Sequence, residues 1–142
     1  MRSSHIELTA AFYIGAALAI LVLPWNVLLS FAVSAAFHEL CHLAVLCWYQ
    51  VPIWQIRLGL CGAKITAGAM EPMQELLCAA AGPIGSLILV LFADRLPLLA
   101  VFGLVQGLFN LLPIYPLDGG RVVRSIFMLA KTARWHYNRA DI

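Results

Sequence analysis

His38, Glu39 and His42 are the residues whose types and spacing could do chemistry; they stand in the run His38-Glu39-Leu40-Cys41-His42. Residues four apart on an α-helix share a face and lie about 6 Å apart along its axis. Two imidazoles so placed can close on one zinc ion. The carboxylate of Glu39 then projects beside the ion, where it can hold and deprotonate a water. The chemistry is metal-assisted hydrolysis, the use to which metallopeptidases put the H-E-x-x-H spacing. A catalytic zinc takes three protein ligands and leaves a fourth position open, so a third donor must come from elsewhere in the chain.

The surroundings of the pattern sharpen it. It lies inside an almost wholly apolar run, residues 27–49. Ionisable groups at bilayer depth cost about 2.5–3.5 kcal/mol at a helix centre on insertion scales, so they need a partner or a function. The whole chain has the same character: 63% of its residues are hydrophobic and 11% charged, where ordinary domains carry roughly 25% charged. That leaves too little polar surface to cover a globule in water, which excludes a soluble enzyme. A multi-span membrane protein of one domain, residues 1–142, is expected. Cys41, Cys47, Cys61 and Cys78 form no C-x-x-C pair and read as packing thiols, not a disulfide framework. Cys41 points to another helix face than the two histidines and is a poor ligand.

The elements that must position the pattern follow in chain order. Residues 8–25 form a first apolar run, read as a span; Arg2 before it would also suit a signal peptide, but Glu7 borders the apolar core and no cleavage site follows. Residues 27–49 are the second span. Between residues 51 and 70, Trp54-Gln55-Ile56-Arg57-Leu58 alternates with the period of a strand, and Lys64-Ile65-Thr66 can return beside it. A short interfacial hairpin is expected, with an irregular loop as the alternative. Trp54, Gln55, Ile56, Arg57 and Leu58 would offer an edge that pairs with an extended substrate.

Residues 75–92 are the third span, with Gly82, Gly85 and Ser86 permitting close helix approach and Pro83 a kink. Residues 98–112 are the fourth, with Gly103 and Gly107 spaced as G-x-x-x-G. Pro113, Pro116, Gly119 and Gly120 should unwind the stretch that holds Asp118. Residues 121–131 can resume as an amphipathic helix lying on lipid headgroups. The expected fold is thus an all-α polytopic membrane protein of about four transmembrane helices, with a short β-hairpin and a C-terminal amphipathic helix.

Charge orients these spans. With the N-terminus in the cytoplasm, eight of the nine Lys and Arg residues fall inside and only Arg95 outside. The positive-inside rule then predicts both termini cytoplasmic. The second and fourth spans run the same way, which brings His42 and Asp118 to similar depth. His5 and His136 lie in terminal segments, Glu71 and Glu75 near the surface can pair with Arg57 or Lys64, and Asp94 is on the far side. Asp118 is left as the third ligand, with one zinc ion per chain. Asn110 is a candidate to steady the substrate or an oxyanion; its alternative is a helix-packing hydrogen bond.

The run His38 to His42 in one span, Ala81-Gly82-Pro83 in the next, and Asn110, Pro113, Leu117-Asp118-Gly119 in a third resemble the site-2 protease family of intramembrane zinc proteases. The resemblance covers about residues 27–124. It implies a three-helix catalytic core that cleaves other transmembrane helices near the cytoplasmic face, with His38, His42 and Asp118 as ligands and Glu39 as general base. It also implies substrates such as the precursors of transcription regulators or sigma factors. Cys41 stands where the family commonly has a small residue, and no PDZ or CBS domain has room here. With one span before the core and none after, the chain resembles the minimal, sporulation-type branch of a bacterial cell membrane more than the long ones. No nucleic-acid partner is expected, and the oligomeric state is left open.

Two other readings compete. A membrane metal-binding or transport protein could use the same ligands without hydrolysis, but a carrier needs no base such as Glu39. A membrane-anchored peptidase acting on soluble substrates would hold its metal outside the lipid, against the apolar flanks.

Overall fold

A computed structural model of the chain describes residues 5–59 and 62–140. Arg2 and Cys61 lie outside the described residues, as do the side chains of His5 and His136. The architecture is mostly helical with a small three-stranded sheet: β1 (His5–Leu8), α1 (Ala10–Val22), α2 (Trp25–Trp48), β2 (Ile53–Gly59), β3 (Gly62–Ala67), α3 (Pro72–Ile88), α4 (Pro97–Asn110) and α5 (Asp118–Ala140).

Helix α2 is apolar on every side, so hydrophobicity alone cannot decide which face turns inward. Its polar side chains decide. Ser34, His38, His42 and Leu46 recur every four residues and are the buried stripe. Ser34 Oγ donates to Gln106 Oε1 at 3.0 Å, which ties α2 to α4 within the apolar layer. Much of the rest of α2 is exposed, as lipid permits: Trp25 is 72% exposed. Two helical segments, Trp25–Trp48 and Pro72–Phe92, are long and apolar enough to cross a membrane, while α1 and α4 are shorter apolar helices.

Small residues set the helix spacing. Gly103 of α4 faces the Ser86 carbonyl and Leu89, and Gly107 faces the Pro83 carbonyl and Leu87, so the G-x-x-x-G pair meets α3. On the other side of α3, Gly85 meets the thiol of Cys41. Cys41 is thus accommodated by a glycine opposite. The helical pattern of α3 continues across Pro83, which is buried, and loosens into a 3-10 turn only at Leu89–Phe92.

The sheet departs from expectation. The hairpin β2–β3 forms, antiparallel, with Arg57 opposite Lys64 and Leu58 opposite Ala63. A third strand joins it: β1 runs parallel to β2, with Glu7 opposite Arg57. Leu8 therefore belongs to a strand and the first apolar helix is only 13 residues long. Thr9 links the two elements. Its hydroxyl caps α1 by accepting from Phe12 N–H at 3.2 Å and donates to the Leu58 carbonyl at 3.0 Å. The strand order β1-β2-β3 puts β2 in the middle. Gln55, Ile56, Arg57 and Leu58 are consequently not an edge, being paired with β1 on one side and β3 on the other; Trp54 falls at the irregularity between Ile53 and Gln55, and the free edges belong to β1 and β3.

Two ion pairs also differ from expectation. Arg57 meets Glu7 at 2.8 Å, and Glu75 meets Arg121 at 3.8 Å. Finally, Asp118 opens α5 instead of sitting in the unwound stretch, and the irregular segment is confined to residues 111–117. Gly119 and Gly120 explain the close turn. A side chain on either would strike the backbone of Leu111 or Ile114.

Candidate metal centre

The α2 stripe delivers His38 and His42 to the same side, 3% and 6% exposed. The first residue of α5 arrives opposite them with Asp118, 8% exposed. The two Nε2 atoms lie 3.1 Å apart, and Asp118 Oδ2 lies 3.2 Å from His38 Nε2 and 3.1 Å from His42 Nε2. Residues separated by as many as 80 positions thus form a near-equilateral triangle of donor atoms.

The outer face of each ring explains its orientation. His42 Nδ1 is 2.7 Å from the Cys78 carbonyl, which can only accept, so that nitrogen carries the proton. His38 Nδ1 meets Ser86 Oγ at 2.9 Å, where the hydroxyl can accept likewise. In the neutral rings both Nε2 lone pairs then point inward, at each other and at a carboxylate oxygen. Three electron pairs facing one another in a buried space repel unless a cation stands between them.

The spacing and the room fit such a cation. Donors bound at 2.0–2.2 Å in tetrahedral geometry stand about 3.3–3.6 Å apart, a few tenths of an ångström wider than the triangle observed. The backbone of α3 leaves the volume free at Gly82: a β-carbon there would fall 2.8 Å from His38 Nε2 and closer still to His42 Nε2. The donor set of two imidazoles and one carboxylate suits zinc with one coordination position open. Hydrogen bonds to the outer nitrogens are what metal-binding histidines ordinarily make.

Glu39 is half-buried next to His38 on α2. Its Oε1 accepts from the Ala63 N–H at 3.4 Å, so the tip of the carboxylate touches the start of β3. The Asn110 amide donates to the Gln106 carbonyl at 3.1 Å, one turn back within α4. Among the described residues it has no hydrogen bond to the triangle.

Several members of the site had no voice in the sequence reading. Ser86 and Gly82 were legible only as small packing residues. The Cys78 carbonyl carries no sequence signal at all. Arg121 had one: it lies three residues after Asp118, a helical neighbour, and its Nη1 is 3.4 Å from Asp118 Oδ1.

Comparison with known proteins agrees with this geometry. Residues 92–139 match peptidase family M50. A candidate zinc metalloprotease of Synechocystis is 36% identical over 124 residues, covering 72% of this chain and 32% of that protein. A zinc metalloprotease of Methanocaldococcus jannaschii is 35% identical over 108 residues, covering 66% of this chain and 32% of that protein. The chain spans about a third of the length of these curated relatives. The solved structure of a site-2 protease from Methanocaldococcus jannaschii superposes with a TM-score of 0.71 at 30% identity, over 89% of this chain and 68% of that one. Identity at that level across two thirds of a solved relative means that the chain belongs to the site-2 protease family.

Proposed function

We propose that this chain is an intramembrane zinc metalloendopeptidase that hydrolyses peptide bonds of transmembrane or membrane-associated proteins near the cytoplasmic face. The observation that carries the proposal is the triangle of His38 Nε2, His42 Nε2 and Asp118 Oδ2, with Glu39 next in the chain to one of its corners. A zinc ion held there supplies the Lewis acidity that polarises a peptide carbonyl and makes a water acidic.

The residues of the chain do the rest. Ser86 and the Cys78 carbonyl hold the Nδ1 sides of His38 and His42, which orients each ring so that its Nε2 faces the metal position. Glu39 takes a proton from the attacking water as the new carbon–oxygen bond forms. It returns that proton to the departing nitrogen as the carbon–nitrogen bond breaks. The apolar helices around the site exclude bulk water, which strengthens each of these interactions.

A four-span topology with both termini cytoplasmic accounts for the sheet and the ion pairs. β1 precedes α1 and β2 follows α2, yet the two strands pair, so the intervening helices must go out and come back. Glu75 opens α3 and Arg121 follows α4, yet they meet at 3.8 Å, which asks the same of the second pair. At 1.5 Å per residue α1 and α4 reach only about 20 Å, short of a full hydrocarbon core. Local thinning of the bilayer meets such a mismatch. In this arrangement α5 carries Arg124, Lys131 and Arg134 on the cytoplasmic side.

Substrate would reach the site as an extended strand along β3. Ala63 N–H points away from β2, toward Glu39, so in the alternation of a strand Ile65 and Ala67 present their backbone on the same free edge. An added strand there lies beside the general base. Single-pass precursors of transcription regulators or sigma factors are the substrate class to try first.

The test is cleavage of a co-expressed single-pass protein by the wild type and by Glu39→Gln. The variant should keep its zinc and lose cleavage, since the ligands survive and the base does not. Zinc binding without cleavage in the wild type, across a panel of such substrates, would favour the metal-carrier reading.

A further inference from the structure

Asp118 is the least secured member of the triangle. It begins a helix that follows seven irregular residues, 111–117, six of them exposed. A carboxylate also has two oxygens, and either one or both can bind a metal. If both did, the second would fill the position that a hydrolytic metal keeps for water. Something must fix the carboxylate so that one oxygen faces the imidazoles and the other is turned away.

Arg121 is placed to do this. Its Nη1 is 3.4 Å from Asp118 Oδ1, while Oδ2 is the oxygen at 3.1–3.2 Å from the two imidazoles. The other side of the same guanidinium is held from α3: Arg121 Nε lies 3.8 Å from Glu75 Oε1. The side chains of Arg121 and Glu75 are 27% and 20% exposed, so the chain Glu75–Arg121–Asp118 is largely enclosed by protein. A guanidinium is a rigid planar fork whose donors can serve two carboxylates at once, which an ammonium cannot do with fixed geometry. The pair also ties the helix that brings the third ligand to the helix that orients His38 and His42 through Ser86 and Cys78.

We propose that Arg121, anchored by Glu75, is a positioning residue that restricts Asp118 to a single metal-binding oxygen. The proposal rests on the metal reading of the triangle but makes a separate demand on residues outside it. Arg121 touches neither substrate nor metal; it acts through Asp118.

The test uses the full chain purified in detergent, with cobalt(II) as the probe and a chelator in competition. Cobalt absorbs strongly in the visible when four-coordinate and weakly when a further ligand enters. Wild type should bind one cobalt with the strong bands. Arg121→Gln should bind roughly 10–100-fold more weakly, the range expected for losing an outer hydrogen bond to a ligand. It should also lose most of the visible intensity, as Asp118 Oδ1 joins the coordination.

Glu75→Gln should move both readouts the same way by less, and should add little in the Arg121→Gln background because the two act in series. Arg121→Lys should recover part of the affinity but not the band intensity. Glu75→Gln alone carries the test if Arg121→Gln does not fold. Wild-type affinity and spectrum in Arg121→Gln would overturn the proposal, as would weaker binding with undiminished bands, which is what a merely structural role produces. Failure of the wild type to bind cobalt at all would instead remove the metal reading on which the proposal stands.

Discussion

Gly82 of α3 and His42 of α2 meet so closely that a single added carbon would enter the space between the imidazoles. A β-carbon on Gly82 would also stand 2.8 Å from His38 Nε2. The glycine is buried and helical, where its low helix propensity is a cost of about 1 kcal/mol relative to alanine. Space for a cation is the physical reason to retain it.

Gly82→Ala should therefore abolish metal binding while leaving the helices in place. An overpacked methyl in a tight core costs about 1–3 kcal/mol, within reach of a chain that still folds. Circular dichroism should show unchanged helix content, and metal analysis should show zinc lost. Full zinc content in this variant would mean that the ion lies elsewhere.

Ser86→Ala should weaken metal binding without abolishing it. The hydroxyl is 2.9 Å from His38 Nδ1 and is 0% exposed, so no water replaces it easily. Loss of such an outer partner typically lowers metal affinity about 10–100-fold. Competition with a graded series of chelators measures the change. Ser86→Thr, which keeps the hydroxyl, should lose less.

Ile65→Pro should impair cleavage more than zinc binding. It removes an N–H from the free edge of β3 and leaves the ladder to β2 intact, because Ile65 presents its backbone on the side that Ala63 gives to Glu39. Cleavage of a co-expressed substrate should fall severalfold with zinc content unchanged. Undiminished cleavage would remove strand pairing at β3 from the account.

How much of this was legible in the sequence depends on how local each signal is. His38, Glu39 and His42 share one helix, so their spacing alone fixes their geometry. Asp118 could be reached only by comparing depths along two apolar runs; its Oδ2 lies 3.1–3.2 Å from the two imidazoles. The sheet was half legible. Alternation marks β2, but β1 is four residues long and pairs with a strand 50 positions away, which leaves no local trace. Missing β1 is what turned the central strand into an apparent edge.

The start of α5 was also misplaced, by three residues. Gly119 and Gly120 read as helix breakers by propensity, whereas here they are helical because the loop folds back against them and only bare backbone fits. The partners of the imidazole Nδ1 atoms were out of reach for a different reason. Ser86 looks like any small residue of a helix interface, and a backbone carbonyl has no letter in the sequence.

The most direct test is the zinc content of purified wild-type chain and of Asp118→Asn, each dialysed against a weak chelator. The account predicts about one zinc per wild-type chain and less than about a tenth of that in the variant, because an amide in place of the third, charged donor leaves only two imidazoles. Equal zinc in both proteins would contradict it, since an ion held without Asp118 cannot be the one at the meeting point of α2 and α5.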